Sequence, residues 1–241
     1  MKRDLIGIAV AVALGGTATL SQAATVYFSD WAYGDSWGNT VNVGVPNYSK
    51  VPAGGFKGSV TFTAAEKAAG FNDILNNAFI SYCVELTESF YGFPSALMSD
   101  YNVMSGSVYA GWGSARADRL GQLMSYVNAN SQLVATKDES TSLQLAIWNV
   151  IYDQASDNSL TSGGFQAASG SFNAYANTLL SDSLNATNTY DVFVLTKAGS
   201  QDFMLLREKG SNVPEPSSVA LAFAALGALG VASRRRGVPK A

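Results

Sequence analysis

Residues 219–232 form an uncharged apolar run of 14, set between Val213-Pro214-Glu215-Pro216 and Arg234-Arg235-Arg236. With Ser217, Ser218 and Ser233 the stretch 217–233 reaches 17 residues, the short end of what spans a hydrocarbon core. Lipid offers no partner to open backbone groups, so such a segment can only be a transmembrane helix. Leu221, Phe223, Leu226, Leu229 and Val231 are diluted by Ala and Gly, which makes insertion marginal. The three arginines should stay on the cytoplasmic side as anchor charges, leaving everything before Pro214 on the other side. The two prolines cannot continue a helix and hold the preceding site extended and accessible. Any folded domain therefore lies N-terminal to this tail and outside the cytoplasm.

The head agrees. Lys2 and Arg3 precede an apolar stretch over 5–14, and Ser21-Gln22-Ala23 supplies the small residues a signal peptidase reads. Cleavage is expected after Ala23, with Ala24 the alternative. The chain then divides into a signal peptide (1–23), a mature domain (24–212) and a tail (213–241). The tail resembles the PEP-CTERM sorting signal of Gram-negative bacteria in Val213, Pro214, Glu215 and Pro216, the apolar run, and Arg234, Arg235 and Arg236, in that order. The resemblance implies processing by an exosortase near the Pro-Glu-Pro and transient residence in the inner membrane through 217–233. It also implies a final place at the cell surface or in the extracellular matrix of biofilm-forming, polysaccharide-producing cells. It names a place and no reaction.

About 190 residues suit one domain with a sizeable core. Removing both ends takes six of the 15 basic and two of the 18 acidic residues, leaving the mature domain at net −7. Nucleic acid is thus not an expected partner. With no histidine in the chain, Ser-His-Asp and Cys-His pairs and histidine metal sites are excluded. No cofactor and no metal is expected. The single cysteine, Cys83, cannot form an internal disulfide, and an odd thiol in an exported chain requires an explanation.

Strand signals fall at 25–28, 41–45, 58–62, 79–86, 190–196 and 202–207, the last two joined by a turn at Gly199. Thr63-Ala64-Ala65-Glu66 has capping-box form and opens a short helix that Gly70 ends. Helical spacing marks 115–129, 141–155 and 172–181. Strands at both ends around central helices predict an α+β domain: an antiparallel β-sandwich or barrel core with several inserted helices, plus the C-terminal transmembrane helix.

Two residues carry chemistry. In 79–86, alternation places Ile80, Tyr82, Val84 and Leu86 on one face and Cys83 with Ser81 and Glu85 on the other. In 141–153, Gln144 shares a stripe with Ile147, Trp148 and Ile151, opposite a polar face of Ser142, Asn149 and Asp153. A buried amide must find partners. Thr141-x-x-Gln144 has capping-box form, which by itself would explain the residue. A thiol beside a Gln amide can also attack its carbonyl carbon and expel ammonia, giving an internal thioester, with a helix N-terminus assisting thiolate and oxyanion.

Tyr82-Cys83-Val84 and Leu143-Gln144-Leu145-Ala146-Ile147-Trp148 resemble the two motifs of bacterial surface thioester domains, although Leu143 stands where those domains usually carry Thr. That resemblance implies a Cys83–Gln144 crosslink opened by surface amine or hydroxyl groups. Weaker signals are Glu85 with Glu88 as paired acids, Asp153, Asp157 and Asn158 as a cation loop, and Trp31, Tyr33, Trp37 and Trp112 as sugar platforms. The leading expectation is a structural or adhesive, non-enzymatic protein. A noncovalent module for extracellular polysaccharide comes second, and a glycoside-active hydrolase third.

Overall fold

The computed structural model describes residues 23–33, 39–88, 96–153, 159–167 and 170–210. The expected signal peptide, the sorting tail with the transmembrane helix expected there, Trp37, Asp157 and Asn158 lie outside the described residues. Among those described, no helix is long and apolar enough to cross a membrane.

The domain is mostly an antiparallel β half-barrel with a few helices. Its strands are β1 (Ala24–Trp31), β2 (Asn39–Val45), β3 (Tyr48–Ala53), β4 (Phe56–Thr61), β5 (Ile74–Ser81), β6 (Ala96–Ser105), β7 (Gln166–Ala167), β8 (Tyr190–Lys197) and β9 (Ser200–Glu208). Its helices are α1 (Ala64–Ala68), α2 (Gly113–Ala129), α3 (Lys137–Tyr152) and α4 (Ser171–Asp182). The main sheet has the order β5-β4-β1-β6-β8-β9, and a second runs β3-β2-β7. Phe28, Phe56, Phe79 and Phe203 meet on the inner face of the main sheet, Phe28 and Phe203 with ring centroids 4.6 Å apart.

Six expected strands and all four helices are present at shifted bounds. β3, β6 and β7 carry no signal strong enough to stand out. β6 is long because it serves two neighbours, pairing β1 up to Tyr101 and β8 from Asn102 onward. Asp100, at φ +68, sits where the strand changes partner. Such an irregularity breaks the alternation a strand signal depends on.

Two expectations about elements need correction. The strand expected over 79–86 runs over Ile74–Ser81 and then leaves the sheet edge. Ile80 is 46 % exposed, whereas Ser81, Tyr82, Cys83 and Val84 are all buried, so the period of two ends at Ser81. The helix expected to open at Thr141 opens at Lys137. Thr136 caps it, accepting from the Glu139 amide while the Glu139 carboxylate accepts from the Thr136 amide. The α1 capping box of Thr63 and Glu66 is as expected. α3 is also buried on every side from Ser140 to Ile151, so Ser142 and Asn149 do not face solvent. Asp153, at its C-terminal end, accepts hydrogen bonds from the Gly164 and Phe165 amides and from Asn149. Buried itself, it anchors the exposed turn that ends at Gly164 and Phe165.

Candidate functional site

After Ser81 the chain crosses to the opposite edge of the main sheet. The Met204 amide donates to the Tyr82 carbonyl (3.0 Å), and the Val84 amide donates to the Asp202 carbonyl (3.1 Å). Cys83 faces Phe203 across this short antiparallel bridge. Segment 82–84 thus ties the end of β5 to β9 and curls the sheet toward closure.

In a strand, successive backbone polar groups point to opposite sides. With Tyr82 and Val84 spent on β9, the N–H and C=O of Cys83 point away from it. Both meet Gln144. The Cys83 amide donates to Gln144 Oε1 (3.1 Å), and Gln144 Nε2 donates to the Cys83 carbonyl (2.9 Å). The side-chain amide acts as the missing partner strand. Cys83 is 6 % exposed and Gln144 1 %, so neither backbone group has water as an alternative.

The neighbourhood is braced by residues with no motif of their own. The Tyr82 hydroxyl lies 3.3 Å from Ser140 Oγ, which accepts from the Gly55 amide at 2.8 Å. A Cβ on Gly55 would stand 2.9 Å from the Tyr82 ring, so only glycine lets Tyr82 lie where it does. Ser140 is one turn N-terminal to Gln144, so one face of α3 holds both ends of the Tyr82-Cys83 dipeptide. Ser140 escapes the sequence reading because the helix is expected to begin only at Thr141; with the start at Lys137 it falls on the stripe of Gln144, Ile147 and Ile151.

Gln144 lies two turns inside α3 and caps nothing. The capping-box account of this residue is therefore wrong, and the helix N-terminus is too far along the chain to assist chemistry at Gln144. Burial, and next the negative charge of Glu85, hold the Cys83 thiol well above its ordinary pKa of 9.0. At neutral pH the sulfur keeps its proton. What the arrangement offers is polarisation: the Cys83 N–H points at the carbonyl oxygen on which charge develops if that carbonyl is attacked.

The other candidates are placed as follows. Glu85 Oε2 accepts from the amides of Thr87 and Glu88, and its Oε1 from Gln201 Nε2 (2.8 Å). Glu88 accepts from the Gly199 amide. Both carboxylates hold loops. Trp31 and Trp112 are buried, Trp31 against Phe56 and Trp112 against Tyr109, so neither is an exposed sugar platform. Tyr33 is partly buried against the core. Among the described residues no three His, Cys, Asp or Glu side chains cluster to hold a metal ion.

Residues 212–236 match the family model of the PEP-CTERM protein-sorting motif. The match covers the tail and leaves the folded domain unassigned. Comparison with curated proteins and with solved structures returns no match. The motif implies export, a C-terminal membrane-anchored sorting tail and processing by an exosortase.

Proposed function

We propose that this exported protein has a structural or adhesive role outside the cell, and that its domain attaches covalently to amine or hydroxyl groups of an extracellular partner through a Cys83–Gln144 thioester. The observation that carries this reading is the double hydrogen bond between the Gln144 amide and the Cys83 backbone, inside a buried site. It holds the Gln144 amide on the backbone of the residue that carries the only thiol of the chain. In the proposed step Cys83 Sγ bonds to Gln144 Cδ, the C–N bond breaks, and the thiol proton leaves with Nε2 as ammonia. The Cys83 N–H takes the charge that forms on Oε1. Burial then shields the thioester from water until a partner nucleophile reaches it and regenerates the thiol.

The test is the intact mass of the protein, isolated from cells without exposure to amines. It should fall short of the sequence mass of the processed chain by one ammonia, and the deficit should vanish in Cys83→Ala. A full mass in the unsubstituted protein would refute covalent attachment. A noncovalent hold on polysaccharide would serve the same exported role through other residues.

A further inference from the structure

Cys83 and Phe203 face each other without exchanging hydrogen bonds, since the bonds of this bridge join Tyr82 to Met204 and Val84 to Asp202. The side chains of such a pair lie on one face of the sheet. Phe203 packs against Phe28, Phe56 and Tyr101, which makes that face the interior of the half-barrel. The Cys83 side chain therefore points inward, near the end where β9 begins.

Two residues on from Cys83, and two before Phe203, stand Glu85 and Gln201 on the same face. They are bonded to each other. Gln201 Nε2 donates to the Glu85 carboxylate (2.8 Å) and to the Glu85 carbonyl (3.1 Å). The Tyr101 hydroxyl donates to the Gln201 carbonyl (3.0 Å) and fixes the backbone beneath the pair. Burial changes across it: Cys83 and Gln201 are buried, Glu85 is partly exposed, and Thr87 beyond it is exposed. On its other side Cys83 is closed off by Tyr82, packed against Gly55 and Ser140. Among the described residues, Glu85 and Gln201 thus stand next in line between the thiol and solvent along this pair of strands.

We propose that the Glu85–Gln201 pair is a gate: it closes the end of the half-barrel over Cys83, and a nucleophile reaches this residue when the pair parts. The gate regulates the attachment proposed above and rests on that reading for its purpose, though not for its geometry. One flexible side chain holds it shut, whereas the Gln144 clamp belongs to a helix buried on every side. When Gln201 swings away, the Glu85 carboxylate keeps its bonds from the Thr87 and Glu88 amides, so opening leaves the loop in place.

The test is the rate at which small reagents reach Cys83 in the protein isolated from cells, in Gln201→Ala and in Thr136→Ala. Where the ammonia deficit is present, methylamine uptake is followed by intact mass. Where the mass is full, Cys83 is a free thiol and labelling by iodoacetamide is followed instead; the thioester is then refuted, and the gate is judged by the labelling. Gln201→Ala should react about tenfold faster, as expected when a hydrogen bond to a charged group is lost. Thr136→Ala, which weakens the domain at the cap of α3, should react at the unsubstituted rate. That rate should stay flat in low urea, as local opening does, and not follow the slope of global unfolding. Equal rates for Gln201→Ala and the unsubstituted protein, equal acceleration by Thr136→Ala, or a rate that tracks global unfolding would overturn the proposal and show that Cys83 is reached by another route.

Discussion

Cys83 and Gln144 separate two roles that are usually confounded. Gln144 bonds to the Cys83 backbone and not to its sulfur. Cys83→Ala should therefore keep the fold, losing only a small buried side chain and all thioester chemistry. Gln144→Ala strands a buried N–H and a buried C=O, each costing about 1–3 kcal/mol. Both substitutions forfeit the crosslink, so Gln144→Ala should fall below Cys83→Ala in denaturant titration by the cost of these two stranded groups. Comparable losses would mean that the thiol, not the backbone clamp, holds the seam. Both residues were legible in sequence, one as an odd exported thiol and the other as an amide on an apolar helix stripe. What the amide bonds to was not legible, because its partner is a backbone exposed only by the exit of the chain from β5.

At the scale of elements, α3 owes its position to a start signal one turn upstream of the expected one. Thr136-x-x-Glu139 and Thr141-x-x-Gln144 have the same capping-box form, and sequence offers no means to rank them. The fold ranks them, since Thr141 is wholly buried and gives its hydroxyl to the carbonyls of Ala53 and Lys137. Thr136→Ala should cost about 1 kcal/mol by loss of the cap, seen as a lowered melting temperature with the intact-mass deficit unchanged. A change in that deficit would show that the cap and the Cys83 site are coupled. The same burial explains why Ser142, Asn149 and Asp153 read as a polar outer face and prove to be interior. Helical periodicity reports the polarity of a side chain, and a buried network of hydrogen bonds satisfies polar residues as well as solvent does.

At the scale of the whole molecule, the Cys83–Gln144 link would join α3 to the seam between β5 and β9 across 61 residues of chain. In the chain-entropy account a covalent loop of this length restricts the unfolded state by roughly 4 kcal/mol. Opening it with methylamine should therefore lower the melting temperature by roughly ten degrees in a domain of this size, with the amine retained in the mass. An unchanged melting temperature after amine incorporation would contradict a load-carrying link. The tail acts at this scale too, since export is what places the lone thiol outside the reducing cytoplasm.

The sequence by itself determined the C-terminal tail and its meaning. Export and sorting signals are read as linear strings by processing enzymes and by the bilayer, so their chemistry is local. It also determined most strands and helices, whose periodicities are local as well. Tertiary structure alone decided that Gln144 serves as a strand for Cys83, and that Glu85, Glu88 and Asp153 hold loops. It also decided that Gln201 bonds Glu85 next to Cys83. Each of these depends on which residues distant in sequence exclude water from the same place, and no local pattern carries that information.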